Sequence, residues 1–113
     1  LRRLAETAIE ARYQPYTAIV RKGERGETFF VILDGVARVE AGRRPRLSAG
    51  DYFGELALLD GEVRSATVTA ETEVHVMRIS RRRFLRMLED DPKLAIMIIR
   101  GLATRLRAAE RGP

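Results

Sequence analysis

Phe53-Gly54-Glu55-Leu56-Ala57-Leu58-Leu59, answered further along by Arg64-Ser65-Ala66-Thr67-Val68, is the segment whose residue types ask for a ligand and not for a core. A lone glycine lets backbone approach another molecule closely. The carboxylate beside it only accepts hydrogen bonds, and an arginine closing the same loop offers a planar fork of donors suited to a phosphate. A sugar phosphate presents both an anion and a diol, so it meets both halves of that demand.

Outward from this loop the chain is punctuated by turns. Ala18-Ile19-Val20, Thr28 to Leu33, Val36 to Ala41, Leu47-Ser48, Thr67 to Ala70 and Val74 to Ile79 are short apolar or alternating runs. They are separated by Lys22-Gly23-Glu24-Arg25-Gly26, Asp34-Gly35 and Ala49-Gly50-Asp51, which read as hairpin turns. About eight short strands of this kind predict an antiparallel β-roll, jelly-roll-like, over residues 13–79. Leu1, Leu4, Ala5, Ala8 and Ile9 recur at helical spacing, predicting a short N-terminal helix over 1–12. Ser80 can cap a helix carrying Phe84, Leu85 and Leu88, and Asp91-Pro92 supplies a cap and first-turn proline for another. The fold class is therefore α+β: a roll with one helix before it and two after it, over 80–111. In the final helix Leu94, Ile98, Leu102 and Leu106 share a face, while Ile96, Ile99 and Ala103 form a second apolar strip that packing on one sheet would not consume; it suits either a partner surface or moving contact, or a helix wedged between the roll and the N-terminal helix.

A length of 113 residues, with 45% hydrophobic and 33% charged residues, suits a single domain of modest core. No apolar run approaches a membrane-spanning length and the N-terminus is amphipathic, so no membrane-spanning segment is expected and the expected location is cytoplasmic. Cysteine is absent and His75 is the single histidine, which leaves no inventory for disulfides, iron–sulfur clusters, thiol catalysis or an ordinary zinc site. His75 lies in an alternating run and reads as a packed or half-exposed strand residue, not a ligand. A metal enzyme on a cupin-like roll would need several histidines. The net charge of +5 permits an anionic partner, yet Arg43-Arg44, Arg46 and Arg81-Arg82-Arg83 are interleaved with acids and lack alternating aromatics. They read as a solvated surface, with no direct nucleic-acid contact.

Taken together, Phe53 to Leu58, the spacing to Arg64-Ser65-Ala66, the glycines Gly23, Gly35 and Gly50, and the two helices after the roll resemble the cyclic nucleotide-binding domain. That family includes catabolite-activator-type regulators, regulatory subunits of protein kinase A and cyclic-nucleotide-gated channels. The resemblance implies a phosphate-binding cassette over 53–68. In it Gly54 opens a short helix, the amides of Leu56 and Ala57 face the cyclic phosphate, and Glu55 accepts from the ribose 2′-hydroxyl. It also implies that Arg64 pairs with the exocyclic phosphate oxygens, helped by Ser65 and Ala66, that Val39 lines the base or ribose, and that Arg105 covers the purine. The nine-residue step from Glu55 to Arg64 matches the kinase and channel branch better than the catabolite-activator branch. Val63 stands where a proline is common before the arginine, and Ala109 and Glu110 stand where activator proteins place a threonine and serine on adenine.

The resemblance implies a sensor that binds cAMP, with Thr67 leaving cGMP open, needs no cofactor and is itself no enzyme. Occupancy would be relayed by the final helix to a fused effector such as a channel or enzyme domain. The alternatives are the effector domain of a transcription regulator and a degenerate domain kept for protein contacts. The strip Ile96, Ile99, Ala103 would serve a homodimer or a face toward a domain outside the chain.

Overall fold

The computed structural model describes residues 9–41 and 45–111, with side chains except at Leu56, Asp60, Arg105, Leu106 and 108–111. Eight strands are arranged in two four-stranded sheets. They are β1 (Ile9–Tyr13), β2 (Ala18–Val20), β3 (Thr28–Asp34), β4 (Ala37–Glu40), β5 (Arg46–Leu47), β6 (Tyr52–Phe53), β7 (Thr67–Ala70) and β8 (Val74–Ser80). One sheet runs β1-β8-β3-β6 and the other β2-β7-β4-β5, with every pairing antiparallel. Three helices are described: α1 (Glu55–Asp60), α2 (Arg81–Asp90) and α3 (Pro92–Arg111).

Strand β3 shows why the molecule has two cores. Side chains alternate across a strand, so Phe30 and Ile32 point between the sheets, where they meet Val20, Ala37, Phe53, Val68, Ala70, Val74 and Val76. Phe29 and Val31 point the other way, into a second cluster with Leu58, Ile79, Phe84, Met87 and Ile98. That second cluster fastens all three helices to the outer face of the β1-β8-β3-β6 sheet. Phe30 stacks on Phe53 at 4.7 Å in the first core, and in the second Phe29 stacks on Phe84 at 4.5 Å and meets Tyr52 at 5.5 Å, contacts that add to area burial.

The helix boundaries follow the capping chemistry. Ser80 accepts from the Arg83 amide at 3.3 Å and Asp91 from the Lys93 amide at 3.1 Å, as expected for residues that satisfy orphan N–H groups. The N-terminal expectation needs correction over residues 9–12. Residues 1–8 lie outside the described residues, and Ile9–Tyr13 is a strand, paired along its length with β8 (Ile9↔Arg78 to Tyr13↔Val74). Its period is two, with Ala11 and Tyr13 packed against the inter-sheet core; the edge of β8 offered a full ladder of backbone partners that a helix would have left open. His75, in the neighbouring strand, lies 3.2 Å from Glu10 through Nε2.

Candidate functional site

Gly54 sits between β6 and α1 with φ 95° and ψ −2°, a left-handed conformation open to glycine at little cost. It also sits close to other groups: a Cβ there would fall 2.8 Å from both Arg64 Nη1 and the Thr28 carbonyl oxygen. The turn at Gly54 starts α1 immediately at Glu55, whose side chain is 1% exposed. The first amides of any helix lack intrahelical partners, and here they belong to Glu55, Leu56 and Ala57.

Arg64 is drawn into the same place from the loop after α1. It is 6% exposed, donates through Nη1 to the Gly54 carbonyl at 3.2 Å and through Nη2 to the Thr28 carbonyl at 2.8 Å. Its Cζ lies 5.7 Å from the centre of the Phe30 ring, within cation–π range. Burial lowers the pKa of the guanidinium from its ordinary value, opposed by the carboxylates of Glu24, Glu27 and Glu55. A guanidinium stays protonated at neutral pH regardless. The fork is thus a fixed positive charge whose plane is set by two carbonyls, which engage two of its five donors.

A part of the site that sequence reading missed lies in the turn between β2 and β3. The Gly23 amide donates to the Arg64 carbonyl at 2.9 Å, and the Arg64 amide donates to the Glu24 carbonyl at 2.7 Å. Gly26 is buried against this pair. A Cβ on it would meet Ala57 Cβ at 2.5 Å and Arg64 Cζ and Nε at 2.8 Å. The sequence signal was present as the second glycine of Gly23-Glu24-Arg25-Gly26, but it read only as a hairpin turn. Thr28 and Phe30 carried no signal, since one contributes a carbonyl and the other a core ring.

Other candidates fall into two groups. Ser65 is exposed beside Arg64, Ala66 is half-buried, and Val39 is half-buried against the inter-sheet core. Val39 pairs with Val68 and Glu40 with Thr67. Paired residues share a face and successive residues alternate, so Thr67 lies on the opposite face from Val39. Its hydroxyl oxygen accepts from the Lys22 amide at 3.0 Å. The side chain of Arg105 lies outside the described residues. No helix among the described residues is long and apolar enough to cross a membrane.

A two-sheet roll packed against helices, with a buried acid and a buried arginine at the start of a glycine-led helix, is the arrangement to be compared with known domains. Residues 10–91 match the family model of the cyclic nucleotide-binding domain, and the chain belongs to that family. Among curated relatives, it is 39% identical to a cAMP-dependent protein kinase regulatory subunit of Yarrowia lipolytica over 90 residues, covering 76% of this chain and 24% of that protein. It is equally 39% identical over 90 residues to a cyclic nucleotide-gated potassium channel of Rhizobium etli, covering 78% and 25%. The chain therefore spans about a quarter of the length of these two relatives. The solved structure of PKAR CBD2 bound to Sp-2Cl-cAMPS superposes with a TM-score of 0.79 and 29% identity, covering 95% of this chain and 75% of that one.

Proposed function

We propose that this domain binds a cyclic nucleotide in the cassette 53–68, cAMP in preference to cGMP, and acts as a non-catalytic regulatory module of a larger cytoplasmic protein. The observation that carries the reading is the meeting of Glu55 and Arg64, both buried, at the start of α1. A cyclic phosphate would take donors of the Arg64 fork beyond those given to the Gly54 and Thr28 carbonyls, and a ribose hydroxyl would donate to the carboxylate of Glu55, which only accepts. In this assignment Arg64 keeps donors for two phosphate oxygens. Ser65, Ala66 and the amides of Leu56 and Ala57 add donors to the same anion, as helix N-termini do, and Val39 offers apolar contact to the sugar or base. Thr67, engaged with the Lys22 amide, is given the part of holding the loop, which favours cAMP over cGMP. Arg105 is assigned to the purine.

The two relatives named above, a kinase regulatory subunit and a gated channel, support a fused effector. The rival reading is a domain that has kept Arg64 only as a clamp on the Gly54 and Thr28 carbonyls, which those two hydrogen bonds favour. A ligand–protein cycle separates the two. cAMP and 2′-deoxy-cAMP are titrated into the parent chain and into Glu55→Ala. The parent should prefer cAMP by about 1.5–3 kcal/mol, the usual net contribution of one hydrogen bond to a charged group, and Glu55→Ala should show no preference. An unchanged preference in the variant would place the ribose elsewhere, and no binding of either ligand by the parent would leave the clamp.

A further inference from the structure

Helix α3 docks on the domain through Leu94, Ile98 and Leu102, of which Ile98 is 2% exposed. Its far side is not uniformly polar. Ile96 is 49% exposed and Ile99 63% exposed, and exposed Ala103 continues the same line one heptad after Ile96. Spacings of three and four are those of a coiled-coil seam. Along one flank of this seam run Lys93, Arg100 and Arg107, all exposed and seven residues apart, so that they occupy one heptad position. The other flank holds Ala95 and Leu102, half-buried against the domain. The described seam and its cationic row cover Lys93 to Arg107, roughly 21 Å at about 1.5 Å per residue.

We propose that this face is a docking site for an acidic amphipathic helix: a partner segment of about four turns with an apolar seam and Glu or Asp on the flank that meets Lys93, Arg100 and Arg107. The charge row selects that occupant over a second copy of this chain. Antiparallel self-pairing sets the row beside its own twin, cation against cation. Parallel self-pairing sets it opposite Ala95 and Leu102, which carry no charge. Among the described side chains neither arrangement supplies an anion, whereas flanking charges set partner choice and orientation in paired helices. Ala103 adds a size preference, since its small side chain leaves room for a bulky apolar residue on the partner.

The test uses two stapled helical peptides of fifteen residues with leucine along one seam. One carries glutamate along the flank at heptad spacing, its twin lysine at the same positions. Both are titrated into the nucleotide-free chain, so the result is independent of the proposed ligand. The glutamate peptide should bind saturably, at least tenfold tighter than its twin, and should weaken as salt is raised. Arg100→Glu should reduce or reverse that preference, and Ile99→Ser should abolish binding. Both substitutions lie on the surface, and unchanged thermal unfolding confirms that each variant is folded. Equal affinity of the two peptides, or binding of neither, overturns the proposal. So does concentration-dependent self-association in sedimentation that Ile99→Ser removes, because the face would then belong to a second copy.

Discussion

Glu55 and Arg64 are the buried charged residues among those described, and their pairing with Gly54 was legible because residue chemistry and spacing are sequence properties. What surrounds Arg64 was not legible, because it is made of backbone. The Thr28 and Gly54 carbonyls, the Glu24 carbonyl and the Gly23 amide are chemically the same at every residue, and only the fold brings them together. Gly26 shows the consequence. Its hydrogen faces Ala57 and Arg64 where a methyl group would overlap both. Gly26→Ala should destabilise the domain by about 1–3 kcal/mol, the usual range for forced overpacking, and should weaken nucleotide binding beyond what the loss of stability explains. Chemical denaturation and titration of the same variant check both halves; full affinity at reduced stability would separate this turn from the site.

At the scale of elements, the helices after the roll were readable from their caps. Ser80 and Asp91-Pro92 act locally, within three residues of the amides they serve. Strands β1 and β6 were not readable, since Ile9–Tyr13 and Tyr52–Phe53 are held by partners distant in sequence, β8 and β3. Two residues carry almost no periodicity, and a five-residue run starting at Ile9 continued a helical pattern by chance. Gly101 is a further case in which tertiary contact overrides local preference. Glycine within a helix costs about 1 kcal/mol relative to alanine, yet a Cβ at this position would fall 1.9 Å from the Tyr52 hydroxyl oxygen. Tyr52 directly precedes Phe53 and Gly54, so α3 rests on the strand that feeds the candidate site. Gly101→Ala should cost about 1–2 kcal/mol, the overlap outweighing the gain in helix propensity. In a Tyr52→Phe background the nearest remaining ring atom would be Cζ at 3.1 Å, and the same change should become neutral or stabilising by up to about 1 kcal/mol. A double-mutant cycle by thermal unfolding measures this, with additivity of the two changes as the contrary result.

For the whole molecule, the roll and the helices share the outer face of one sheet. Leu58 of α1, Phe84 and Met87 of α2 and Ile98 of α3 occupy one cluster. A ligand that favours one arrangement of α1 and its loop therefore has a packed route to α3, and can shift that helix by no more than its difference in affinity for the two arrangements. The relay predicts that amides of α3 change their hydrogen-exchange protection when cAMP is added, and equal protection in both states contradicts it. The route was only half legible beforehand: the second apolar strip of α3 stood out in the sequence, but its partners across β3 did not. All of this presumes that a nucleotide occupies the cassette through Arg64. The most direct test is calorimetric titration of cAMP, and separately cGMP, into the parent chain and Arg64→Ala, with thermal unfolding to show that the variant is folded. The account predicts saturable binding by the parent, tighter for cAMP, and a loss in the variant of about 2–4 kcal/mol, roughly thirty- to a thousandfold in affinity. Equal affinity of parent and folded variant, or no binding by the parent, would contradict it.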